Sequence, residues 1–318
     1  MMKWQHLGRI FIPQDHMLYG NKGHYAQSPQ ALPLDDRVRV YFTTRQYDSS
    51  GIYISKPAFV DFSHDFSRLI ALSDNEVMPL GELGCFDEHG IFPFSPTRVN
   101  ERILAYTCGW SRRVSVPVET STGLAESFDN GRTFVRFGNG PVFGASLHEP
   151  YLVGDSLVRH YQGQFHMWYM FGTAWHEYAY GQPERTYKIG HAVSDDGVDW
   201  VKQEAQQIIA DVLGPTESQA LPSVLQIGSR YHMVFCYRES FDFRQGHGRG
   251  YRIGYAWSDD LLHWQRDDQT LGLQPEGDWD KEMMCYPHLT EVDGTVYLLY
   301  NGNQFGCHGF GAARLVQP

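Results

Sequence analysis

Four carboxylates head repeated segments of this chain, Asp87, Glu149, Glu217 and Glu282, and His24 heads a fifth segment before them. The steps between these five positions are 63, 62, 68 and 65 residues. Acids so far apart in sequence act together only if the fold brings them to one place, and a near-constant step is the pattern that would do so. Where acids crowd, like-charge repulsion raises the pKa of one member. One carboxyl can then donate a proton near neutral pH while another stays ionised as base or nucleophile. The same segments carry Arg45, Arg238 and His288, which suit an anionic group, and Trp110 and Trp175, whose ring faces suit the CH faces of sugars.

An internal repeat positions these residues. Residues 187–200, YKIGHAVSDDGVDW, return as residues 251–264, YRIGYAWSDDLLHW, with eight of fourteen positions identical. A repeat of this period is one supersecondary unit copied and stacked. Its apolar residues alternate with small ones, an Asp-Asp turn follows, and Trp200 or Trp264 opens the next strand, which together predict a β-hairpin. Residues 127–134, SFDNGRTF, and residues 62–66, FSHDF, are weaker copies. The closing aromatics fall at Phe66, Phe134, Trp200 and Trp264, and extending the series backward reaches Trp4. An N-terminal strand carrying Trp4 would then complete a unit whose other strands lie at the C-terminus.

Taken in order, the segments predict strands over 38–42, 51–55, 165–171, 231–237 and 296–300, with one short helix allowed over 203–212. The expected fold is all-β, a single five-bladed β-propeller over residues 1–318, its ring closed by the N-terminal strand. In a propeller the first strand of each blade lines the central channel, so early positions of successive blades converge on one mouth.

The totals restrict the partners. A formal net charge of −11 with no basic stripe argues against nucleic acid. No stretch is apolar for long enough to span a membrane, and the first residues lack a signal-peptide core, so a cytoplasmic protein is expected. The five cysteines are widely spaced without a CxxC, which suggests neither a disulfide framework nor a zinc site. No cofactor and no metal are expected.

Five segments of this length, acids at the mouth and aromatic-ended hairpins resemble the five-bladed glycosidase superfamily that includes glycoside hydrolase families 43, 32, 68 and 130. The strings FDEHGIFPFSP, KEMMCYP and YNGNQFGCHGFGAARL are similar to bacterial glycosidase-like propellers found among surface-polysaccharide genes. The resemblance implies an enzyme acting on glycans, with a small carbohydrate or sugar phosphate as partner. In glycoside cleavage one carboxyl protonates the leaving oxygen and a second activates water or attacks carbon. By resemblance to family 43, Asp87 would be the helper acid and Glu149 the proton donor, with Glu217 or Glu282 assisting. The sequence departs from that family in the first segment, where His24 and Ser28 stand in place of a base Asp. Three readings stay open: hydrolysis or glycosyl transfer through another carboxylate; phosphorolysis, with phosphate held by His24, Arg45, Arg238 and His288; and a sugar-binding propeller without catalysis.

Further aromatics, Tyr178 and Tyr180, follow Trp175, and Arg112 and Arg113 occupy a long loop over 110–119. The Asp-Asp pairs at 195 and 259 are read as turn chemistry rather than calcium ligands. The GHGRG string at 246–250 precedes a strand rather than a helix, and so is not a phosphate loop.

Overall fold

The computed structural model describes residues 1–177, 181–244 and 248–317, and its regular structure is almost wholly β. The repeat copies form the strands Glu184–Ser194 and Arg252–Ser258, each antiparallel to the strand before it. The turns after them are built by their acids. Asp196 accepts the backbone N–H groups of Val198 and Asp199, and Asp260 those of Leu262 and His263, so these carboxylates shape hairpins. Asp129 does the same for Arg132 and Thr133 in the copy at 127–134. Among the described residues, no three His, Cys, Asp or Glu side chains are grouped to hold a metal ion.

Each sequence segment becomes a four-stranded antiparallel unit. Unit one contains Gln27–Pro33, Val38–Tyr47, Tyr53–Phe62 and Leu69–Leu72. Unit two contains Gly90–Val99, Arg102–Arg112, Val118–Ser127 and Val135–Arg136, and a single parallel pair, Ser55 with Gly90, joins it to unit one. Unit three runs Val153–Tyr161, Gln164–His176, Glu184–Ser194, Val201–Lys202. Unit four runs Glu217–Ile227, Arg230–Glu239, Arg252–Ser258, Gln265–Arg266. The remaining sheet joins the two ends of the chain: Cys285–Val292, Thr295–Asn301 and Phe310–Gln317 are completed by Lys3–Phe11, with Trp4 opposite Leu315. The first strand of each unit lies against the first strand of the next, and that of the fifth against that of unit one.

Apolar side chains fill the spaces between units, and the aromatic series marks them one by one. Phe66 and Phe134 are buried in the clusters between the fifth unit and unit one and between units one and two. Trp200, Trp264 and Trp4 pack against the clusters between units two and three, three and four, and four and five. The aromatics are therefore inter-unit wedges, which explains why a large ring recurs at each outer strand. The turn glycines accommodate the neighbouring unit too. Gly131, at φ +79°, and Gly197, at φ +77°, take hydrogen bonds on their carbonyls from Tyr41 and Tyr106, and a Cβ at either would strike the tyrosine hydroxyl.

The expected helix over 203–212 is absent. Its backbone amides are claimed by neighbouring groups instead: Ala205 donates to Glu149, Ile208 to the Ile189 carbonyl, and Val212 and Leu213 to Glu217. The one α-helix among the described residues is Asp268–Leu271, capped by the Asp267 side chain. No helix among them is long and apolar enough to cross a membrane.

Two histidines are buried as neutral groups. His191 stacks on His166, with the ring nitrogens 3.1 Å apart; burial, and then the neighbouring imidazole, push its pKa down to about 4. Burial and the charge of Arg159 push that of His288 down to about 3. The unfolded chain takes up these protons near pH 6.5, whereas the fold resists them, so this stability is present above 6.5 and lost as pH falls toward 4. Each group costs about 1 kcal/mol per pH unit in that window. The melting temperature should therefore drop between pH 6.5 and 4.5, and His191→Gln should flatten the drop; a pH-independent melting curve for the parent protein contradicts this account.

Candidate active site

The inner strands break register at corresponding places. In four of the five a residue turns to positive φ there: Ser28 (53°), Asp155 (51°), Leu221 (48°) and Tyr286 (55°), and in unit two the shift lies between Ile91 and Phe94. Bulges bend a strand and re-aim its side chains. Here Phe92, Asp155, Leu221 and Tyr286 all line one cavity of about 570 Å³. Leu152, Met170, Tyr187 and Tyr251 belong with Leu221 and Tyr286 to the apolar cluster beneath it. Tyr25, Tyr53, Trp110, Phe243 and Phe305 complete an aromatic wall.

Asp155 is the one carboxylate lining this cavity among the described residues. It is only 8% exposed. Burial pushes its pKa up to about 7, against the opposing charge of Arg185 and hydrogen bonds from the Leu221 amide and the Cys108 thiol. A carboxyl in this state is protonated in a large fraction of molecules near neutral pH, which is the requirement for a proton donor.

Cations outnumber it. Arg45, Arg185, Arg238 and Arg244 line the same cavity; Arg244 pairs with Glu184, and the other three form no ion pair with a described carboxylate. Arg45 lies over the Tyr25 ring at 4.4 Å, and Arg185 lies 5.5 Å from the centroid of Trp175. Arg238 is fully buried: it donates to the Tyr187 hydroxyl at 2.8 Å and to the Glu239 carbonyl at 2.7 Å, and it sits 3.5 Å from the Phe243 centroid. Its Nε has no hydrogen-bond partner among the described residues. Tyr187 and Tyr251, the opening residues of the two best repeat copies, touch through their hydroxyls beside it. His24 lies at the edge, 3.2 Å from the Tyr53 hydroxyl, with its pKa lowered by burial and by Arg45. A small anion and a sugar ring are the two chemistries such a lining suits.

The four expected catalytic acids are not brought together here. Asp87, Glu149 and Glu217 are fully buried but absent from the cavity lining, and each is held by the cation of its own unit's outermost strand. Arg136 meets Asp87 at 2.5 Å, Lys202 meets Glu149 at 2.8 Å and Arg266 meets Glu217 at 2.6 Å. In the fifth unit the buried acid is Asp280, bonded by the Tyr300 hydroxyl and by the amides of Glu276 and Gly277, while Glu282 is exposed beside a different cavity. His288 also lies outside the cavity, buried near Ser223. Trp110 lines the cavity, and Trp175 extends a strand rather than a loop, paired with Arg185. Arg112 and Arg113 are bound to Asp48 and Glu119. Tyr178, Tyr180 and residues 246–247 of the glycine-rich string lie outside the described residues.

Asp155 escaped the reading by acids, yet the sequence marks it. Ser28-Pro29, Phe92-Pro93, Leu221-Pro222 and Tyr286-Pro287 recur four to five residues past the segment heads, and the third copy replaces the pair by Asp155-Ser156. Proline within strands is confined to edges and bulges, so a row of X-Pro pairs at blade period locates the bulges. The deviation from the row is the carboxylate that lines the cavity.

Removing the cation from one of the acid clamps leaves a buried, uncompensated carboxylate. Arg266→Leu should cost about 3–5 kcal/mol in urea unfolding. An unchanged midpoint is incompatible with a structural clamp at Glu217.

Comparisons with known proteins agree with this architecture. No family model matches the chain. The Mycobacterium tuberculosis protein Rv1502 is 30% identical over 322 residues, covering 99% of each chain. A β-1,2-mannobiose phosphorylase of Thermoanaerobacter sp. (strain X514) is 30% identical over 115 residues, 33% of this chain and 35% of the enzyme. Among solved structures, a complex of BT0996 with RGII superposes with a TM-score of 0.74 at 16% identity, covering 100% of this chain and 93% of that one. The β-1,2-mannobiose phosphorylase of Listeria innocua, bound to β-1,2-mannobiose, gives 0.71 at 10% identity, covering 98% and 96%. The chain belongs to the same family as Rv1502, and it shares its fold with the glycoside hydrolase and mannobiose phosphorylase structures it superposes on.

Proposed function

We propose that this protein is a glycan-active enzyme of five blades closed into a ring, and that it cleaves a glycoside with phosphate as the acceptor. The observation that carries the reading is the lining of the cavity: one buried carboxyl with a raised pKa among four arginines, three of which form no ion pair with a carboxylate among the described residues. A hydrolase needs a second carboxylate to activate water or attack carbon. Phosphate needs no such base, because it is itself an anionic nucleophile, and guanidinium groups hold it through paired hydrogen bonds. The partial similarity to a β-1,2-mannobiose phosphorylase supports the same choice.

In the proposed reaction Asp155 gives its proton to the glycosidic oxygen as the C1–O bond breaks. A phosphate oxygen forms the new bond to C1, so the products are a sugar 1-phosphate and the remaining glycan with a free hydroxyl. Asp155 recovers its proton from solvent. Arg45, Arg185 and Arg238 offset the phosphate charge, and the aromatic wall holds the sugar.

The test is to incubate the protein with β-1,2-mannobiose and other β-linked disaccharides, with and without inorganic phosphate, and to quantify sugar 1-phosphate and free sugar. Phosphate-dependent sugar 1-phosphate is expected, and equal release of free sugar without phosphate would identify a hydrolase instead. Asp155→Asn should lower kcat by roughly 10²- to 10⁴-fold. The active form is the protonated one, so kcat/KM should fall as pH rises through about 7. A limb of the opposite sign makes Asp155 a base and refutes the assignment.

A further inference from the structure

The cavity that holds Asp155 has a neighbour of different character. A second cavity of about 380 Å³ shares Tyr53 and Trp110 with it, so these two rings contact both spaces. Both are packed against other rings: Tyr53 stacks with Tyr47 at 4.3 Å and with His24 at 5.9 Å, and His89 stacks on Trp110 at 5.9 Å. A platform fixed in this way loses little side-chain freedom when a ligand lands on it.

The charges of the second space are already satisfied. Arg112 pairs with Asp48 at 2.7 Å and also donates to the Tyr53 carbonyl, and Arg113 pairs with Glu119. The first cavity, by contrast, keeps three arginines without a carboxylate partner among the described residues. An anion is therefore favoured in the first space and gains nothing from the second. Ile52 and Val114, both exposed, give the second space an apolar rim, and the chain at 114–117 adds the Ser115 hydroxyl and backbone polar groups. Fixed rings, apolar edges and neutral hydrogen-bonding groups together suit an uncharged sugar ring.

We infer that the second cavity is a subsite for a further neutral sugar, so that the substrate is an oligosaccharide of at least three units reaching from Asp155 past Tyr53 and Trp110. The inference rests on the glycan reading of the first cavity. A space of about 570 Å³ lies in the range that encloses a drug-sized ligand, here a disaccharide, and the adjoining 380 Å³ admits one unit more.

The probes are β-linked manno-, gluco- and galacto-oligosaccharides of two and three units, titrated against the parent protein and an Ile52→Ser/Val114→Ser double variant, with binding read by calorimetry. For the linkage that binds, the trisaccharide should bind about tenfold more tightly than the disaccharide. The double variant should lose that gain and keep its disaccharide affinity. Equal affinities for the two lengths overturn the subsite and leave the glycan reading standing. Failure of every sugar to bind overturns the glycan reading, and the subsite with it. A disaccharide carrying an apolar aglycone that outcompetes the trisaccharide shows that the second space accepts a non-sugar group, which also overturns the inference.

Discussion

The start of each inner strand from unit two onward is pinned by a buried acid, and the cavity depends on that pinning. Asp87, Glu149 and Glu217 each hold the outermost strand of their unit through a buried cation. Glu149, Glu217 and Asp280 also collect backbone amides from the segment that crosses between units. A buried ion pair adds little net stability over an apolar pair, yet breaking one is costly, so such pairs fix geometry more than they add energy. Here the fixed quantity is where the inner strand begins, and with it where the bulge a few residues later points its side chain.

Charge is sorted by location in consequence. Behind the inner strands the cations Arg136, Lys202 and Arg266 have their acids within hydrogen-bond distance. Inside the cavity, Arg238 is as deeply buried as any of them; it has hydroxyl, carbonyl and ring contacts, and the charge of Glu184 acts on it without a direct ion pair among the described residues. A buried charge left in this state is costly unless something else supplies the countercharge. The unpaired Nε of Arg238 and the elevated pKa of Asp155 are two expressions of burial beside one cavity.

The repeat makes much of the fold legible from the residues alone. The two best copies became equivalent strands, the aromatic series from Trp4 to Trp264 became one wedge per inter-unit cluster, and Trp4 did pair its strand with the C-terminal one. The site was less legible. Acid at a segment head is a pattern that both catalysis and loop anchoring produce, and only burial beside Arg136, Lys202 or Arg266 separates the two. Arg45, Arg238 and Trp110 could be placed because they sit at strand ends next to the heads. Arg185 and Asp155 could not, since nothing about an Arg in QPERT or an Asp in VGDS is unusual until the X-Pro row is aligned. The expected helix over 203–212 failed for a related reason: its amides serve Glu149, the Ile189 carbonyl and Glu217 rather than carbonyls one helical turn back.

The fifth unit carries a consequence for how the molecule reaches its working form. It provides Tyr286 and Phe305 to the cavity, and it is complete only when Lys3–Phe11 has paired with Phe310–Gln317, across some of the largest sequence separations in the chain. Contacts so distant are slow to form, because the entropy of closing the loop is lost before they stabilise anything. Units one to four, with Arg45, Asp155, Arg185 and Arg238, can assemble during synthesis while the floor around Tyr286 is still missing. Competence to bind then arrives in one late step. A ligand in the finished cavity favours the closed state by mass action, acting as a clasp on strands that meet only at the end of folding.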